Sequence, residues 1–208
     1  ADGGDGTLDV LVKGLQGTFK SARVANPLGK SVTARFGIVK KKNLAIIEMA
    51  QASGLHLLSP HQRNPLLAST YGTGQLIQKA LDLGVRKIII GVGGSATVDG
   101  GVGMAIALGA KFLDKKGVPV GLGGKELIRI QHIDLSCMDS RLKKVQIMVA
   151  SDVQNPLLGP RGTVNVYAKQ KGATSKMLPI LDSGMKNLSS LIHEQLGIKV
   201  AQLPGAGS

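Results

Sequence analysis

The sequence predicts an α/β fold with a β-rich beginning, on three observations. Apolar strand-like runs, above all residues 87–92 and 145–150, alternate with stretches of helical period. Each of these two runs ends in a polar or Gly-rich loop, as strands of open α/β sheets do. The first 60 residues instead carry short apolar runs separated by turn signals.

In chain order, Val10-Leu11-Val12 reads as a short strand and residues 19–24 as a second. Asn26-Pro27-Leu28-Gly29 is a turn signal, because proline presets φ and glycine accepts the left-handed region, so residues 19–24 and 31–39 are expected to form a hairpin. Lys40-Lys41-Lys42, between Ile38 and Leu44, reads as the solvated tip before a strand over residues 45–49. From Gly72 onward Leu76, Ile77, Ala80, Leu81 and Leu83 fall on one helical face, and Gly84 stops the helix. Residues 87–92 form a buried strand and residues 102–108 a small-residue helix ended by Gly109. The strand at 145–150 runs into Ser151-Asp152 and a Pro/Gly-rich loop over residues 155–162. Met177, Leu181, Met185, Leu188, Ile192 and Leu196 recur every three or four residues, an amphipathic helix with Pro179 in its first turn and Gly197 at its end. No fixed-period repeat or low-complexity linker interrupts this order.

Composition narrows the classes. The chain has 208 residues, enough for one large domain or two small ones, and 43% hydrophobic residues exclude a wholly disordered protein. Its net charge of +13 points to anionic partners, yet two Tyr, three Phe and no Trp leave little to stack on bases. Cys137 stands alone, which excludes an intramolecular disulfide or a Cys-based metal site and suggests a cytoplasmic setting. No apolar run reaches the roughly 18 residues of a membrane span. The start, Ala1-Asp2-Gly3-Gly4-Asp5-Gly6, is not a signal peptide and has no initiator Met, so the chain is expected to be processed or cut from something longer.

Candidate chemistry concentrates at the loops. Gly91, Gly93 and Gly94 sit where a strand passes into a helix, and such a turn lets the backbone approach an anion or simply pack tightly. Ser95 and Thr97 add hydroxyls that suit phosphate oxygens or a helix cap. No Lys-Ser/Thr pair follows the glycines, which excludes a Walker A loop. Asp99 is placed either to hold Mg²⁺ or to cap the following helix, and Asp152 either faces a site at its strand end or caps its own loop. Asp2 and Asp5 suit a metal or hydroxyl contact, or an Asp/Gly turn. Arg63 and Asn64 match a small carboxylate, or are an ordinary surface Arg and a capping loop. Lys171, just before the final helix, reaches phosphates or is solvated. The four His residues lack metal-ligand spacing.

These segments carry a resemblance. Residues 1–7, 47–55, 63–74, 91–101, 152–157 and 170–174 resemble, in order, the sequence blocks of the glycerate kinase family, which phosphorylates D-glycerate with ATP. Members of that family have a further strand and a Lys/Ser loop before the Asp-Gly-Gly block and continue beyond a segment like residues 204–207. Ser151 stands where the family has Cys, and Ala168-Lys169 where it has Gly-Pro.

The resemblance implies a glycerate-kinase-like α/β fold in which residues 26–200 form an inserted, restriction-endonuclease-like domain. Residues 1–25 and 201–208 would belong to a Rossmann-like domain, and the fold name implies no nuclease activity. It implies ATP and Mg²⁺ as cofactors and glycerate as substrate, with no nucleic-acid or membrane partner and homodimerisation left open. Arg63, Asn64, Gly93, Gly94, Ser95 and Asp2 are then expected at the substrate, Thr97, Asn155 and Lys171 at phosphate or nucleotide. Asp99 and Asp152 compete for the general-base and metal roles. The alternatives are a non-enzymatic polyanion-binding module and an inactive fragment, the latter because the family draws part of its site from segments outside these 208 residues.

Overall fold

The computed structural model of the protein describes residues 3–4 and 6–207. Helix α1 (Thr7–Gly14) precedes strands β1 (Thr18–Ala25), β2 (Ser31–Val39) and β3 (Leu44–Glu48). Then come α2 (Ala50–Ser53), α3 (Tyr71–Asp82), β4 (Lys87–Gly91), α4 (Val102–Ala107), β5 (Lys111–Leu113) and β6 (His132–Asp134). Strand β7 (Gln146–Ala150) and helices α5 (Thr163–Tyr167) and α6 (Leu178–Leu196) complete the order. The mixed α/β class expected from the sequence is the one observed.

Five strands form one sheet in the order β1-β2-β3-β4-β7. The first two pairings are antiparallel, as the Pro27 and Lys40–Lys42 turns require, whereas β3, β4 and β7 run parallel. Parallel strands need long crossovers, and the intervening segments supply them. The register sets Glu48 beside Gly91 and Gly91 beside Ala150. The loops after β3, β4 and β7 therefore emerge at one end of the sheet. In open α/β sheets the carboxyl ends of parallel strands are where ligands bind.

Residues 10–12 are helical, not a strand. Val10 is 65% exposed while Leu8 and Val12, four apart, are buried against Val39, Leu44 and Ile46. A three-residue apolar run does not distinguish period two from period 3.6, and here packing decides. Buried Glu48 fixes the helix start, its Oε2 accepting from the Leu8 N–H at 3.0 Å. A carboxylate there also meets the positive end of the helix dipole.

Helices α2 and α3 cover the opposite face, where Phe36, Ile47, Leu76 and Ile88 share a core. A second core joins β5, β6 and a 3₁₀ turn at Gly124–Arg129 to α6 through Ile133, Leu127 and Leu181. Pro179 lies at the start of α6 and Gly197 closes it in the left-handed region at φ 72°. The division expected near residue 25 falls between β1 and β2, which pair over eight residues.

Candidate functional site

Three strand ends converge on the loop after β4. Ser95 bridges to Gly54, the Leu55 N–H donates to the Gly94 carbonyl at 2.9 Å, and the Ala96 N–H donates to the Ser53 carbonyl at 2.9 Å. From the other side the Gly93 N–H donates to the Gly3 carbonyl at 3.0 Å. A Cβ added to Gly91 would lie 2.6 Å from the Gly3 oxygen, and one added to Gly93 2.6 Å from the Gly4 Cα. Two of the three glycines thus admit the chain's own backbone rather than a ligand, a correction to the anion-cradle expectation. Gly94 keeps a different reason for its identity, a φ of 71°.

Lys171 reaches this loop from the turn after α5. It is 5% exposed, and its Nζ donates to Ser95 Oγ at 2.7 Å and to the Thr97 carbonyl at 2.8 Å. No carboxylate among the described residues lies within ion-pair distance of it. Burial lowers its pKa from 10.5 to about 8, the more distant Asp99 charge opposing that shift. An ammonium has three donors, and two are used inside the protein. The lysine lines a cavity of about 270 Å³ together with Gly93, Gly94, Ser95, Asp152 and Gln170.

A pH dependence follows from this burial. Between about 8 and 10.5 the unfolded chain holds a proton that folded Lys171 has lost, so its contribution to stability rises with pH across that window. Anion binding needs the ammonium and goes the other way. Titration calorimetry with inorganic tripolyphosphate is expected to show affinity falling as pH rises through about 8, and Lys171→Met to flatten that fall. An unchanged pH dependence in the variant would remove Lys171 from the anion site.

The acidic candidates separate. Asp152 is exposed, lines the cavity and takes no hydrogen bond or ion pair among the described residues. Asp99 is 1% exposed, with Oδ2 accepting from Thr70 N–H (2.8 Å), Thr70 Oγ1 (2.9 Å) and Gly103 N–H (3.3 Å), and Oδ1 from Gly101 N–H (3.3 Å). Burial pushes its pKa up while those donors oppose the shift. Its carboxylate is occupied in holding the start of α4 against Thr70, which is the capping alternative rather than a metal or base role.

Asn155 also has its side chain committed, its Nδ2 donating to the Arg161 carbonyl at 2.7 Å and its Oδ1 accepting from Tyr167 Oη at 2.8 Å. That makes it a brace for the 155–162 loop instead of a phosphate contact. Asn64 Oδ1 accepts from the Leu66 N–H at 3.0 Å, a local turn. Arg63 abuts the lysine segment, since a Cβ on Gly172 would meet the Arg63 carbonyl oxygen at 2.4 Å. Its Nε is buried without a hydrogen-bond partner among the described residues. Thr97 is buried and contributes its carbonyl to Lys171. Asp2 and Asp5 lie outside the described residues. Tyr167, Gln170 and Leu55 line the cavity without having been singled out, because only the tertiary fold brings them to residues 93–95.

Among the described residues no group of three or more His, Cys, Asp or Glu is placed to hold a metal ion. No helix is long and apolar enough to cross a membrane. A profile of the glycerate kinase family matches residues 1–208. The chain is 50% identical to a glycerate kinase of Halalkalibacterium halodurans over 208 residues, covering all of this chain and 55% of that protein. It is 45% identical to the glycerate 2-kinase of Escherichia coli K12, again covering 55% of it. A crystal structure of a Salmonella typhimurium LT2 protein described as a glycerate kinase 2 superposes with a TM-score of 0.97 at 45% identity, over all of this chain and 56% of that one. The chain thus spans about 55% of the length of the curated relatives quoted.

Proposed function

Because the chain belongs to the glycerate kinase family, its profile matching residues 1–208, we propose that the protein transfers the γ-phosphoryl group of ATP to a hydroxyl of D-glycerate. The observation that carries the assignment to this site is Lys171, a buried ammonium with no acidic partner among the described residues, opening on a cavity at the ends of three parallel strands. Phosphoryl transfer asks a protein for position and for charge complementary to the equatorial oxygens, more than for covalent chemistry. Lys171, Ser95 and the backbone at Gly94 supply that complement. Arg63, beside Gly172, takes the glycerate carboxylate, for which its planar fork is suited.

Mg²⁺ is commonly held by one or two carboxylates plus substrate phosphates. Asp152 fits that requirement, being an uncommitted carboxylate on the cavity, whereas Asp99 does not. When bound, the ion neutralises phosphate charge. Asp152 also faces the cavity as an acceptor for the proton of the attacking hydroxyl. A polyanion-binding module is not favoured, since the +13 charge has a simpler use in attracting anionic substrates and family membership points elsewhere. The same proposal places the enzyme in the cytoplasm, acting on small molecules without nucleic acid, and leaves dimerisation open. It keeps an inserted domain around residues 26–200, with residues 7–25 joined to it because α1 and β1 pack on or pair with the same sheet.

The test is a coupled assay of the full-length protein with ATP, Mg²⁺ and D-glycerate; absence of phosphoglycerate would end the proposal. Asp152→Asn is expected to lower kcat by about 100-fold or more, the range for a lost base. Its melting temperature should hold, because the side chain is exposed and takes no hydrogen bond or ion pair among the described residues. Parental turnover in that variant would move the base and metal roles off Asp152.

A further inference from the structure

A second cavity, of about 310 Å³, lies behind the first, and Val92 and Ser95 line both. Its character is opposite. Apolar side chains make most of its wall, Met49, Met104, Leu157, Met185, Leu188 and Ile192 among them. Of its polar side chains, Thr70 and Asp99 are bonded to each other, and Thr73 Oγ1 pairs with Ser53 Oγ at 2.8 Å. Thr163, the first residue of α5, is 5% exposed and lines the same cavity, and its Oγ1 is buried with no hydrogen-bond partner among the described residues. Buried hydroxyls almost always find partners, so one left open on a cavity wall marks the place of a missing polar contact.

We propose that this apolar cavity receives the base of the nucleoside triphosphate, with Thr163 Oγ1 bonding the polar edge of the ring and the phosphates passing Ser95 toward Lys171. The inference rests on the kinase reading of the neighbouring cavity and adds the orientation of the nucleotide to it. A base is flat and apolar on both faces and carries hydrogen-bonding atoms at its edge. The wall matches it, with three methionine thioethers able to contact an aromatic ring and, in Thr163, a buried hydroxyl still open to donate or accept. The volume sits near the lower end of the roughly 300–1,000 Å³ of small-molecule sites, which is adequate for a base while the phosphates occupy the other chamber. Only a ligand with an apolar head and a polyanionic tail uses both chambers through their shared residues.

The experiment compares ATP with inorganic tripolyphosphate on the full-length protein. Thr163→Val keeps the shape and removes the hydroxyl, so KM and Kd for ATP are expected to rise about three- to tenfold, the worth of one neutral hydrogen bond, while KM for glycerate and Kd for tripolyphosphate hold. Ile192→Trp, at a half-buried position on α6, fills the cavity and is expected to bring ATP affinity down to that of tripolyphosphate. Thermal unfolding checks both variants, and if Ile192→Trp does not fold, Thr163→Val decides. ATP binding unchanged in the folded variants, or a rise in KM for glycerate instead, overturns the base site and leaves the kinase reading standing. A parent protein that neither binds ATP nor phosphorylates glycerate overturns both.

Discussion

Lys171→Met is expected to lower kcat by about 100- to 1,000-fold, the loss that follows removal of one preorganised group worth roughly 2.7–4 kcal/mol in a transition state. Stability should change little. A buried ammonium with no carboxylate partner among the described residues is an expense to the folded state, and an apolar side chain of similar length relieves that desolvation while giving up two hydrogen bonds, to Ser95 Oγ and the Thr97 carbonyl. Steady-state kinetics beside a thermal melt separates the two effects. A variant that loses activity only because it unfolds would make the lysine a structural strut, and one with parental kcat would take it out of the chemistry.

Asp99→Ala is expected to do the reverse, costing about 3–5 kcal/mol of stability, as when one partner of a buried charged network is removed. Four donors from Thr70, Gly101 and Gly103 lose their acceptor at a position with 1% exposure. The space cannot collapse freely, since a Cβ on Gly103 would already lie 2.0 Å from Ser69 Oγ. For a chain of this size the melting temperature should fall by roughly 10 °C or more. A calorimetric melt unchanged from the parent, together with lost turnover, would return Asp99 to the reaction.

These two residues show what the sequence could and could not convey. The hairpin at Pro27, the strand before Gly91 and the Pro179-to-Gly197 helix are legible because turn chemistry and periodicity are local properties. Helix α1 is not, since Leu8 and Val12 declare their face only once β2 and β3 are beneath them. The three-residue strands β5 and β6 are too short to carry a period. At the site, the residue types around Gly93 were visible, but the cause of two glycines was not, because Gly3 and Gly4 arrive from the far end of the chain. Capping and metal binding ask for the same Asp at position 99, and only its four donors decide between them. For Lys171 the sequence leaves a phosphate contact and a solvated lysine open, and its burial against Ser95, 76 residues away, excludes only the solvated one. Thr163 had no signal at all, as a threonine at a helix start ordinarily reads as a cap.

The stitching of the loop after β4 has a consequence for how the protein reaches its native state. Its partners stand at residues 3, 53, 55 and 171, so almost the whole chain must be in hand before the loop is closed. Contacts of such separation cost chain entropy before they return any stabilisation, and folding rates fall as they accumulate. The hairpin of β1 and β2 can form while the polypeptide is still short. The loop after β4 cannot be completed so early: on a ribosome its contacts with residues 3, 53 and 55 are within reach first, and it waits for Lys171 to emerge before its last fastening is made.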